Sequence, residues 1–196
     1  MGIMKVKEAI IIFLIIGVLT VVAGCARWPD GPGPGPGEPE YQLKITVEVA
    51  GVMNPDEGEG IYYIVLDADG NSVDGPGDDI LFWEDEYYYV QLDEWGFYFT
   101  RVEEGSPSIS LTDSSYSEDK LQVTISLGDL EDPQNSIDFN VITTDSDNNT
   151  YDYLDNYLTI STTLGSTVED IDFQDDLEEG GEDFDIIKVT AEIITF

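Results

Sequence analysis

Apolar and polar residues alternate one by one over three well-separated stretches, and that period decides the fold class. Leu43, Ile45, Val47 and Val49 are interleaved with Lys44, Thr46 and Glu48. Leu121, Val123, Ile125 and Leu127 are interleaved with Gln122, Thr124 and Ser126. Ile187, Val189, Ala191 and Ile193 repeat the pattern around Lys188, Thr190 and Glu192. Successive side chains of a strand point to opposite faces, so each run reads as a strand with one face buried. Shorter runs at 61–66, 80–83, 87–92, 96–102, 108–111, 137–143 and 158–162 are further strand candidates, separated by Gly, Asp, Asn, Ser and Pro. No stretch carries a long amphipathic helix. The expectation is an all-β chain: one antiparallel, jelly-roll-like sandwich over residues 41–196.

The first and last of the alternating runs share the outward pattern Lys-x-Thr-x-Glu. Antiparallel pairing with Thr46 opposite Thr190 would set Lys44 against Glu192 and Glu48 against Lys188. Each such cross-strand pair is worth roughly 0.2–1 kcal/mol.

Half of the chain's aromatic residues fall between Tyr62 and Phe99. Strand geometry puts Tyr87 and Tyr89 on one face with Tyr88 on the other, and sets Tyr98 opposite Phe97 and Phe99. One set would fill the core. The other would either cover the sheet or form a platform of rings beside carboxylates, the arrangement that stacks on sugar faces and binds their hydroxyls. Candidate ligand-binding residues are Trp83, Tyr88, Trp95, Tyr98 and Arg101. Arg101 suits a ligand carboxylate, or an ion pair with one of its many acidic neighbours.

Two acidic loops are candidate calcium ligands: Asp67, Asp69 and Asn71 in one, Asp145, Asp147 and Asn149 in the other. Oxygen donors at alternate positions can converge on a hard cation. The same residues also make ordinary hairpin turns, and neither loop completes a 12-residue EF-hand. The acidic stretch 170–185 reads as a solvated loop.

The N-terminal part carries a different signal. Lys5 and Lys7 precede the apolar run 9–22, which is followed by Val22-Ala23-Gly24-Cys25. The run is 14 residues long, short of the roughly 20 that span a bilayer, and the layout is that of a cleaved secretory signal. Val22-Ala23-Gly24-Cys25 resembles the lipobox of bacterial lipoproteins. The resemblance implies a signal peptide over 1–24, diacylglyceryl attachment at Cys25, and a place on the extracytoplasmic face of the cell envelope. Residues 25–40 then form a tether in which Pro and Gly alternate from Gly31 to Gly37, a composition that forms neither helix nor ladder. Cys25 is the single cysteine, so no disulfide can form within the chain.

Charge and composition exclude several functions. The formal charge is −35, and removal of Lys5, Lys7 and Glu8 with residues 1–24 makes it −36. Binding phosphates needs Lys and Arg to replace counterions, so nucleic acid is excluded as a partner. The chain has no His, no thiol free of the lipid, no Gly-x-Ser-x-Gly elbow and no phosphate loop, and so reads as a non-enzyme.

The stretch from Lys120 to Leu130, followed by Ile137-Asp-Phe-Asn-Val-Ile-Thr-Thr-Asp145, is similar to the late strands of DOMON-type sandwiches. Those include the family 9-like carbohydrate-binding modules. Tyr62-Tyr-Ile-Val-Leu-Asp67 is similar to an earlier strand with a calcium-type loop. The resemblance implies a sandwich that binds sugar or another small ligand. The expected function is a lipid-anchored binding protein for glycan or cell-wall material, with calcium as a candidate cofactor. The alternative is a structural envelope lipoprotein with an acidic solvating surface and no small ligand.

Overall fold

A computed structural model describes residues 40–53, 55, 60–71, 73, 75–171 and 180–196. The signal sequence, Cys25, the tether up to residue 39 and residues 172–179 of the acidic stretch lie outside the described residues. Among the described residues, eleven strands run in chain order as β1 (Tyr41–Val49), β2 (Ile61–Asp67), β3 (Tyr88–Asp93), β4 (Gly96–Arg101), β5 (Asp113–Ser117), β6 (Lys120–Ser126), β7 (Ser136–Thr144), β8 (Thr150–Tyr153), β9 (Leu158–Ser161), β10 (Thr167–Ile171) and β11 (Ile186–Thr195). They form two antiparallel sheets packed as a sandwich. The first has the order β10-β11-β1-β6-β5; the second runs β4-β3-β2-β7-β8, with β9 also on β7. The described residues contain no α-helix.

The alternating runs supply the packed faces. Leu43, Ile45 and Val47 of β1, Leu121, Val123 and Ile125 of β6, and Val189, Ala191 and Ile193 of β11 are almost wholly buried. They meet Tyr62, Ile64 and Leu66 of β2, Val90 and Leu92 of β3, and Ile137, Phe139 and Val141 of β7. The pairing of the terminal strands is as expected, with Thr46 opposite Thr190. One detail differs. The register shifts after Glu48, so Val49 pairs with Ile186, and Ile186 rather than Ile187 turns inward. An extra residue on one strand is a bulge, and it ends strict alternation there.

Two expected strands are not strands. Residues Ile80–Phe82 form a 3-10 turn because the Asp79 side chain accepts from the Leu81 amide at 2.9 Å. Residues 108–111 run beside β4 with Ile109 N donating to Phe99 O at 2.7 Å, but Pro107 has no amide proton to extend a ladder. Three strands, β5, β8 and β10, lie outside the runs that the sequence pattern predicts. Each is a sheet edge with mostly polar, exposed or half-buried side chains, so none leaves a hydrophobic period.

The second sheet differs from the first on its outer face. Tyr63 and Val65 of β2 and Ile142 of β7 are buried although they point away from the main core. They form a smaller cluster with Tyr87, roofed by Ile80 and Trp83 from the segment before β3. The central strands β2 and β7 are therefore buried on both faces. Their near-continuous apolar composition follows from that position.

Candidate functional site

The outer face of the second sheet carries a row of rings. Trp83 meets Tyr63 edge-on at 5.6 Å between centroids and lies 5.9 Å from Tyr89; Tyr89 in turn lies 6.4 Å from Tyr98. Strand register builds the row. Tyr63 is opposite Gln91, Gln91 is opposite Tyr98, and Tyr89 is two residues before Gln91 on the same face. Separations of 4.5–7 Å with tilted planes are favourable for aromatic pairs.

Polar groups sit among the rings. Gln91 Nε2 donates to Asp93 Oδ2 at 2.6 Å. Asp93 Oδ1 accepts from the Trp95 amide at 2.8 Å, which closes the β3–β4 hairpin with Gly96 in the left-handed region at φ 99°. Trp95 projects from that hairpin with 87% of its surface exposed. Trp83 is half-buried, and its indole N–H donates to Gly77 O at 3.1 Å, fixing the covering segment. Burial, then the neighbouring Tyr89 and Asp93, push the Tyr63 phenol up to about 12. Burial and Tyr98 also raise Tyr89. These phenols are hydrogen-bond donors at neutral pH.

The five expected ligand-binding residues divide. Trp83 and Tyr98 belong to the outer row, and Trp95 stands at the hairpin tip of the same two-strand unit. Tyr88 and Arg101 do not: they pair across β3 and β4 on the opposite face. Tyr88 is buried, which removes it from an exposed platform. Its ring lies under the Arg101 guanidinium at 5.4 Å. Burial first, then Glu131, raises the Tyr88 phenol against a lowering by Arg101. Tyr63, Tyr89, Gln91 and Asp93 complete the row. The face that Tyr89 takes follows from strand alternation in the sequence, but the contribution of Tyr63 depends on strand register.

The acidic loops are shaped by their own turns. Asp145 Oδ1 accepts from the amides of Asp147 and Asn149, both at 2.8 Å, and Oδ2 accepts from Asn149 Nδ2 at 2.6 Å. The Asn149 side-chain bond leads the causes that lower the Asp145 pKa. Both Asp145 oxygens thus serve the β7–β8 turn, where Asn148 is left-handed at φ 65°. In the other loop, Asp67 Oδ1 accepts from Asp69 N at 3.0 Å and Asp69 Oδ1 from Asn71 N at 2.5 Å. Among the described residues, no three acidic, His or Cys side chains are grouped to hold a metal ion. These oxygens accept from the amides of their own turns.

No protein-family model, no curated protein and no solved structure matches this chain.

Proposed function

We propose that this chain is a lipid-anchored, exported binding protein whose sandwich takes up carbohydrate on the outer face of the second sheet. The observation that carries the reading is the row Trp83, Tyr89 and Tyr98, interleaved with Gln91 and Asp93 and extended by exposed Trp95. Rings cover the apolar faces of pyranosides, the Gln91 amide can donate to or accept from hydroxyls, and the Asp93 carboxylate accepts from them. Ligand sites commonly combine an apolar surface with a few placed polar groups. The surrounding negative charge favours neutral glycans over acidic ones. Lipid at Cys25 would hold the domain at a membrane, and the Pro/Gly tether would lift it away.

A glycan array probed with the protein tests the reading. Binding to neutral glycans that is lost in Trp95→Ala supports it; no binding to any glycan overturns it.

One observation favours a structural envelope role instead. Trp83 seals Tyr63 and Val65 and anchors its own loop through Gly77, which is the work of a scaffold residue. That reading gains if Trp95 and Tyr98 can both be replaced with no loss of any ligand.

A further inference from the structure

On the other side of the second sheet, where β2 and β4 end and β3 begins, lies a cavity of about 440 Å³. Its size falls within the range of roughly 300–1,000 Å³ usual for small-molecule sites. Arg101 is the one cation among the described residues lining it, and Tyr88 forms part of its apolar wall with Leu130. The guanidinium is incompletely used. Its Nη1 reaches Glu131 at 3.4 Å, long for a charge-assisted bond. Its Nε is buried and has no acceptor. The outer Nη atoms are the part of the guanidinium that a ligand carboxylate can reach.

We propose that this cavity binds a small zwitterion, an amino acid or the end of a short peptide, with Arg101 taking the carboxylate and the surrounding acids taking the ammonium group. The planar guanidinium matches a carboxylate with two parallel N–H bonds, supplied from its two Nη atoms. The ring of Tyr88 beneath it holds the fork in place. Asp67, Asp69, Glu86 and Asp132 line the rest of the wall. They repel a ligand that is only anionic, while a ligand that is only cationic meets the Arg101 charge without a carboxylate to offset it. A ligand with both charges close together meets both requirements. The site is separate from the glycan face, because Tyr88 and Tyr89 point to opposite sides of β3.

Calorimetric titration of the intact chain with L-lysine and with alanyl-alanine tests this, with acetate and butylamine as single-charge controls. Both zwitterions should bind, and neither control should bind at about 10 mM. Arg101→Met should weaken zwitterion binding roughly tenfold or more. Arg101→Lys should do nearly the same, since an ammonium keeps the charge but loses the fork. Should a variant fail to fold, NMR of the unaltered protein decides. The chain has two arginines, Arg27 and Arg101, and one Nε–H resonance should shift on adding alanyl-alanine. The proposal is overturned if neither zwitterion binds, if a control binds equally well, if folded Arg101→Met keeps its affinity, or if both Nε–H resonances stay in place.

Discussion

Thr46 and Thr190 stand directly opposite each other across β1 and β11, with Lys44 opposite Glu192 and Glu48 opposite Lys188. The side chains of that last pair nevertheless engage elsewhere. Lys188 Nζ lies 2.8 Å from Glu169 on β10, and Glu48 is 3.1 Å from Lys120 on β6. Backbone register fixes which residues oppose each other, while long flexible side chains choose among several neighbours on the same face. Double-mutant cycles read by urea unfolding should therefore show coupling between Lys188→Met and Glu169→Gln. The cycle of Lys188→Met with Glu48→Gln should show clearly less. Both residues are solvent-accessible, so the coupling should shrink in about 1 M salt. Equal coupling in the two cycles would contradict the assignment.

Gly51 lets two segments touch. Its amide donates to Glu182 O at 2.7 Å, and a Cβ at this position would lie 2.7 Å from Asp183 N. Backbone atoms cannot swing aside as a side-chain tip can. Gly51→Ala should cost about 1–3 kcal/mol. Gly77→Ala, where a Cβ would meet nothing within 4 Å, should stay within about 0.5 kcal/mol of the parent. Chemical denaturation of both variants checks the contrast.

The raised phenol of Tyr63 makes stability fall in alkali. In the unfolded chain this group ionises near 10, while in the fold it holds its proton to about 12. Between those values the folded state binds more protons, so unfolding becomes easier as pH rises. The contribution is fully present below pH 10 and is lost as pH climbs through 12. About two pKa units correspond to roughly 2–3 kcal/mol. Tyr63→Phe should flatten the stability profile over this window. Phenolate absorbance should show Tyr63 ionising with unfolding; a profile as steep as that of the parent would exclude the effect.

The fold was legible where burial writes a period. β1, β6 and β11 each show one face to the core and one to water, so alternation gave their positions and even the opposition of Thr46 and Thr190. Edge strands such as β5, Asp-Ser-Ser-Tyr-Ser, bury almost nothing, and only their hydrogen bonds to a neighbour make them strands. The 3-10 turn at Ile80–Phe82 misled for a different reason. Its apolar run reads as a strand, yet Leu81 and Phe82 are 81% and 80% exposed, and the local bond from Leu81 N to Asp79 decides the conformation. The candidate site was half visible. Aromatic density pointed to the right segment, and Trp83, Trp95 and Tyr98 do lie on the second sheet's outer side or hairpin. Tyr88 and Arg101 face the other way. The entry of Tyr63 into the row depends on the pairing of β2 with β3, which no local pattern encodes.

Trp83 and Trp95 offer the sharpest separation of scaffold from ligand site. Trp83 lies half-buried over Tyr63 and beside Tyr89, with its indole N–H held by Gly77. Removing it uncovers the small outer cluster and frees its covering segment, so Trp83→Ala should cost about 2 kcal/mol or more. Trp95 is anchored through its backbone N–H to Asp93, and its ring lies almost wholly in solvent. Trp95→Ala should change stability by less than about 0.5 kcal/mol. Truncating a ring that stacks on a bound sugar should nonetheless weaken glycan binding about tenfold or more, as loss of an aromatic anchor commonly does. Denaturation and binding measured on the same two variants give four values. A large stability loss in Trp83→Ala beside a selective affinity loss in Trp95→Ala matches the assigned roles. Unchanged affinity in a stable Trp95→Ala would remove the hairpin from the binding face and leave the sheet's aromatic row as a second core.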